Sequence, residues 1–169
     1  DYNEGLVLPA AIDRAVYLST AAADERVVSL IASDLKAHVS FSLDDLADKV
    51  DIDGRPLPDW ALYPAGVVWS LRRAGLEVKG LNGVYSSDIP IGAGLSSSAA
   101  VEVAFGIAWR ELGGWEIESL ELAKLCQIAE NQFVGVFSGL MDQFASVCGV
   151  ENHALFFDTR NLDWVPVPL

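Results

Sequence analysis

The stretch "IGAGLSSSAAVEVA" at residues 91–104 combines two glycines, three consecutive serines and an apolar, alanine-rich run. It follows the strand-like "GVYSSDIP" and leads directly into helix-forming text. Strand, glycine loop and helix N-terminus together offer free backbone N–H groups and a positive dipole end to an anion. Gly92 and Gly94 would let the backbone approach phosphate oxygens with no Cβ in the way. Ser96, Ser97 and Ser98 supply an N-cap and spare hydroxyls, which can bind phosphate oxygens or complete a metal shell. A Walker A loop needs a Gly-Lys-Ser/Thr ending, and no Lys is present; a dinucleotide fingerprint needs a third Gly where Ser97 stands. A Gly/Ser turn that only caps a structural helix has the same composition, so both readings stand.

Two carboxylates lie downstream. Glu130, in "CQIAENQF", falls four residues after Cys126 and three before Phe133, at the edge of an apolar stripe. It either reaches outward to solvent or is held inward for a purpose. Asp142, in "SGLMDQFASVCG", sits among Leu140, Met141, Phe144 and Ala145 in an apolar helix opening. An Asp there complements the helix dipole. Phosphoryl transfer to a hydroxyl also calls for such groups, namely a carboxylate to orient and accept the proton and an oxygen ligand for Mg²⁺.

Composition narrows the partners. The 169 residues suit a single domain with one substantial core, and 51% are hydrophobic. A net charge of −13 argues against nucleic acid and anionic membrane, both of which need clustered cations. It also means that a bound phosphate must be compensated locally by backbone N–H groups, a metal ion or one of the few cations. No run of about 18 apolar residues predicts a membrane span, and no secretory pattern is evident. Cys126 and Cys148 read as reduced, buried thiols of a cytoplasmic protein. His38 and His153 lack a second ligand at metal spacing and receive no role. Asp1 in place of Met, and a strand in progress at "PVPL", suggest a chain that begins and stops part-way through a gene product.

The elements that must position these residues follow from periodicity. Strands are predicted over 6–22, 26–33 and 37–43, the last alternating with period two, and a loop or excursion over 44–59. A helix is predicted over 59–75, with Asp59 as N-cap, Gly75 past its end and Pro64 in its early turns. Residues 76–90 return to strand, broken at Gly80 and Gly83. Helices follow over 97–112, 119–134 and 140–149, the second with Leu122, Leu125, Cys126, Ala129 and Phe133 on one stripe. Strands are predicted again at 153–159 and 164–169. This order predicts an α+β fold of mixed α/β layers.

"PIGAGLSSSAA" resembles the phosphate-binding motif of the GHMP kinases, a family that includes galactokinases, homoserine kinases and mevalonate kinases. "DYNEGLVLPAAID" is similar to the second half of a galactokinase signature, and "GLMDQFASVCG" and "HALFFDTRNLDWVPVP" are similar to later galactokinase text. The resemblance implies a GHMP kinase N-terminal domain over 1–169, of the ribosomal protein S5 domain 2-like fold. It implies ATP-dependent phosphorylation of the anomeric hydroxyl of galactose, with Mg²⁺. Gly92, Ala93, Gly94, Leu95, Ser96, Ser97 and Ser98 would wrap the ATP phosphates, and Ser98 and Glu130 would be the metal ligands. Asp142 would be the base or orienting carboxylate, Gly139 would let the backbone meet the sugar, and Asp1 would bond sugar hydroxyls. Trp60 and Tyr63 would lie near the adenine, or else pack a helix onto a sheet. The family's upstream Arg, Glu and His are absent from this sequence. So is the C-terminal domain that would pack against this one, and the isolated chain is expected to be inactive and prone to self-association. The alternatives are a sister kinase for a galactose derivative and a non-catalytic sugar and ATP sensor.

Overall fold

The computed structural model describes residues 5–90 and 92–169. Asp1 and Ile91 therefore lie outside the described residues. The strands and α-helices of the described residues are β1 (Leu6–Val7), β2 (Val16–Ala23), β3 (Val27–Ala32), β4 (Ala37–Ser42), α1 (Asp59–Arg73), β5 (Gly80–Ser87), α2 (Ser97–Gly113), α3 (Ser119–Ile128), α4 (Met141–Cys148), β6 (His153–Asp158) and β7 (Trp164–Pro168). A four-stranded sheet has the order β2-β5-β3-β4, and a three-stranded sheet has the order β1-β6-β7. In the larger sheet only the β3–β5 pair is parallel, with α1 in the connection between them. This is the mixed α+β architecture that the periodicity predicts.

Alternation along β3 and β4 turns Val28, Leu30, Val39 and Phe41 into the core, where they meet α1 through Val67, Val68 and Leu71. Phe105 and Trp109 of α2 join the same core, with Tyr85 edge-on to Phe105 at 5.5 Å. A second cluster ties α4 to the small sheet: the Phe144 and Phe157 rings stack at 4.0 Å. α4 is thus wedged between α2 and α3 on one side and β6 on the other.

The structure departs from the periodicity at four places. The strand predicted over 6–22 is interrupted between β1 and β2. Pro9 has no N–H to give a ladder, and its carbonyl instead accepts from Leu155 of β6 at 2.7 Å. β5 runs unbroken through Gly80 and Gly83, where neighbouring backbone at Gly80 and the Leu81 and Leu30 side chains at Gly83 occupy the space a Cβ would need. A Cβ at Gly80 would stand 1.9 Å from the Glu25 carbonyl oxygen. The N-cap of α1 is Pro58, in extended backbone, and Asp59 is the first helical residue. The helix predicted over 119–134 is α-helical only to Ile128; Ala129–Val134 forms a π-helical segment. All five residues of its predicted stripe are buried.

Candidate phosphoryl-transfer site

β5 carries the chain to the glycine loop, and its end is clamped. The Ala15 N–H donates to Asp88 Oδ1 at 2.6 Å, and the Ser87 N–H donates to Asp34 Oδ2 at 2.7 Å. Beyond this root the backbone is left-handed at alternate residues: Gly92 (φ 74°), Gly94 (φ 71°) and Ser96 (φ 55°). Such alternation turns successive N–H groups toward one side, making a concavity for an anion. Glycine adopts this backbone freely; at Ser96 it costs on the order of 1 kcal/mol, a strain of the kind that clusters at ligand clamps. Ser96 is also the residue before α2, but its side chain makes no cap hydrogen bond. The helix-cap reading of the serines is corrected to that extent: Ser96, in left-handed backbone, does not cap, and the first N–H groups of α2 keep no intrahelical acceptor. Gly92, Ala93, Gly94 and Leu95 are exposed.

Two cavities flank this loop and share Ile89. One, of about 520 Å³, is lined by Gly94, Leu95 and Ser96 on one wall, by the 9–12 segment on another, and by Asp142. The segment where β2 was expected to begin early is therefore a cleft wall. The other, of about 280 Å³, brings Trp60 and Tyr63 together with Ser97 and Ser98. Trp60 also packs on the sheet, with its ring 6.0 Å from that of Tyr85, as the packing alternative for the pair expects. Burial, and then Glu130 and Glu102, push the Tyr63 hydroxyl above its ordinary pKa.

Glu130 lines neither cavity; it is 3% exposed, in the first turn of the π-helical segment. The inward alternative is the one realised. The π geometry adds a residue to the turn, so that Ala129, Glu130 and Phe133 are all buried. The Glu130 carbonyl accepts from the Gly135 N–H at 2.9 Å, and Lys49 Nζ donates to the Phe133 carbonyl at 2.5 Å, closing the segment. Glu130 Oε2 accepts from the Ser138 hydroxyl and, at 2.9 Å, from Gln143 Nε2. Ser138 is held in turn by Asn131 Oδ1, which accepts its N–H at 2.8 Å. Gly139 follows Ser138 in the loop that enters α4, three positions before Asp142.

The second amide hydrogen of Gln143 goes to Glu102 Oε2, at 3.0 Å. Glu102 and Gln143 are both 0% exposed. Burial, and then the charge of Glu130, push the Glu102 carboxyl up to about 9 against the hydrogen bond from Gln143, so it is neutral at pH 7. Neither residue was singled out from the sequence. The signal for Glu102 was present: it lies three residues from both Ala99 and Phe105, on the buried face of α2. Gln143 had none, being one polar residue beside another. Cys126 is buried, its thiol pushed well above the ordinary range by burial and then by Glu102 and Glu130.

The donors suit magnesium. A serine hydroxyl and a carboxylate are hard oxygen ligands, and the hydrogen bonds that Glu130 Oε2 accepts among the described residues come from an uncharged hydroxyl and an uncharged amide. No group of three or more His, Cys, Asp or Glu among the described residues could hold a metal alone. Magnesium is commonly held by one or two protein oxygens, with substrate phosphates supplying the rest.

Residues 63–150 match the model of the GHMP kinases N terminal domain. Galactokinase from Streptomyces coelicolor is 41% identical over 99% of the chain, and galactokinase from Roseiflexus sp. is 44% identical over 100% of it. The chain spans only 42% and 41% of those two relatives' own lengths. Among solved structures, Lactococcus lactis galactokinase complexed with galactose superposes over 99% of the chain and 42% of its own, at a TM-score of 0.90 and 32% identity. Mevalonate kinase from Methanococcus jannaschii shares the fold at a TM-score of 0.75 and 18% identity, over 99% of this chain and 50% of its own. The glycine loop between β5 and α2, the helices behind it and these matches agree in one assignment: the chain belongs to the GHMP kinase family.

Proposed function

We propose that this chain is the N-terminal domain of a longer galactose kinase, binding ATP and galactose and transferring the γ-phosphoryl group to the anomeric hydroxyl. The reading is carried by one juxtaposition: Asp142 stands across a cleft from the glycine loop that begins α2. Similarity to galactokinases along the whole chain supports galactose as the acceptor.

In this mechanism the N–H groups of residues 92–98 cradle the phosphates and the α2 dipole favours their charge. Trp60 and Tyr63 receive the adenine beside Ser97 and Ser98. Gly139 presents its backbone to the sugar, and Asp1 bonds sugar hydroxyls. Asp142 orients the anomeric hydroxyl and accepts its proton as that oxygen bonds to the γ-phosphorus; the bond to the β–γ bridging oxygen breaks, and ADP leaves. Ser98 and Glu130 would hold Mg²⁺, which supplies charge neutralisation at the phosphates.

The chain needs a second wall. Leu6, Leu8, Phe156, Val165 and Val167 are exposed on and beside the small sheet. This apolar edge packs against the remainder of the longer protein; left bare, it drives self-association. No helix among the described residues is long and apolar enough to cross a membrane, and Cys126 and Cys148 are free and buried, which fits a reducing cytoplasm.

ADP release by the longer protein, measured against a panel of galactose, galactose derivatives, glucose, mevalonate and homoserine, tests the assignment. Galactose is expected to give the largest kcat/KM. A sister acceptor that exceeds it tenfold overturns the choice of substrate, and sugar-independent silence with every acceptor favours the sensor alternative.

A further inference from the structure

The network behind the proposed metal site contains more than the site requires. Glu102 is a carboxyl fully enclosed on α2. Among the described residues it is linked to Glu130 through the amide of Gln143, whose two hydrogens are divided between the two carboxyl groups. The amide oxygen of Gln143 and the second oxygen of Glu102 are buried without a hydrogen-bond partner among the described residues. The orientation of that amide therefore rests on its two N–H bonds alone. A flipped amide would turn its oxygen against the Glu130 carboxylate and lose the bond to it, while the Glu102 oxygen takes the other N–H, so the two bonds together fix which way it points.

We propose that Glu102 is a positioning residue: by pinning the Gln143 amide it keeps an uncharged donor on Glu130 and so presents the Glu130 carboxylate to the metal–nucleotide complex. The inference rests on the function proposed above. A Lys or Arg in place of Gln143 would neutralise Glu130; an amide fixes its Oε2 and leaves the full negative charge for a cation. Gln143 follows Asp142 in the first turn of α4. The same turn thus places one carboxylate on the cleft and an amide on Glu130, tying the acceptor side to the metal side. The raised pKa of Glu102 is consistent with this role, since a neutral carboxyl accepts the amide hydrogen without adding a second charge beside Glu130.

Outer-shell partners of metal ligands typically carry ~10–100-fold in metal affinity or activity. Mn²⁺ binding to the longer protein with a non-hydrolysable ATP analogue, read by electron paramagnetic resonance, measures this without turnover. Glu102→Ala is expected to weaken Mn²⁺ binding by ~10-fold or more, with the KM for galactose within about twofold of the parent. Glu102→Gln, which keeps an acceptor oxygen, is expected to restore binding to within about threefold. Gln143→Met, nearly isosteric but without the donor, is expected to reproduce the loss and serves if Glu102→Ala does not fold. Mn²⁺ affinities of Gln143→Met and of folded Glu102→Ala equal to the parent's overturn the proposal, as does a Glu102→Gln loss as large as that of Ala. A parent that binds no Mn²⁺–nucleotide overturns the underlying function and the inference with it, before any variant is compared.

Discussion

Replacing Asp142 by Asn in the longer protein is expected to lower kcat by ~10³-fold, the share usually carried by a positioned general base. The carboxylate is partly exposed in the first turn of α4 and faces the cleft, whereas its neighbours Gln143 and Phe144 are buried. Asn preserves its size and polarity and removes the charge and the proton acceptor. Stability should fall by no more than ~1 kcal/mol, the value of an acidic residue at a helix N-terminus. Affinity for a non-hydrolysable ATP analogue should stay within about threefold, because the glycine loop proposed to hold the phosphates is carried by β5 and α2 rather than by α4. Steady-state turnover, a thermal melt and a nucleotide titration separate the three. A variant with near-normal kcat would remove Asp142 from the chemistry.

The second large effect is a pH dependence of stability that follows from Glu102. Its folded-state pKa lies near about 9, against 4.5 for the free side chain, with burial the main cause and Glu130 the next. Below pH 4.5 both states hold the proton; between 4.5 and about 9 only the folded state does. The unfolded chain then binds one proton fewer, so stability falls as pH rises through this window. The slope approaches ~1.4 kcal/mol per pH unit, or on the order of 2–3 kcal/mol between pH 6 and pH 8. Glu102→Gln has no such proton to lose. Urea midpoints of parent and variant should therefore diverge, with the variant increasingly the more stable toward pH 8. Taking the difference cancels titrations of groups that do not interact with Glu102; the Cys126 thiol and Tyr63 hydroxyl, which Glu102 helps to raise, titrate above this window. Parallel midpoints from pH 6 to pH 8 would show that Glu102 ionises freely.

Much of this arrangement was legible in the chain because it is local. The alternation in β3 and β4, the stripe from Leu122 to Phe133 and the spacing of Gly92 and Gly94 each follow from neighbours within a few residues. What escaped is what distant residues decide. Glu130 sits at the edge of its stripe when a straight α-helix is assumed. It is turned inward by a π-helical segment and by partners 8 and 13 positions away, Ser138 and Gln143. Likewise Gly80 reads as a strand breaker until the Glu25 carbonyl is seen to fill the space of its Cβ. Ser96 has the composition of a cap, yet its left-handed backbone gives the loop its curvature instead. The glycine loop was thus readable as a loop, while the carboxyl network behind it was a product of packing.

The central claim is that the glycine loop and Asp142 form one centre for phosphoryl transfer to a sugar hydroxyl. Phosphorus NMR of the longer protein incubated with ATP, Mg²⁺ and galactose tests it most directly, since the phosphorus resonance and its coupling report the atom that has been phosphorylated. The account predicts accumulation of galactose phosphorylated at its anomeric oxygen, in step with ADP, and its loss in Asp142→Asn. Release of inorganic phosphate without a sugar phosphate, or a product phosphorylated at another hydroxyl, would contradict it.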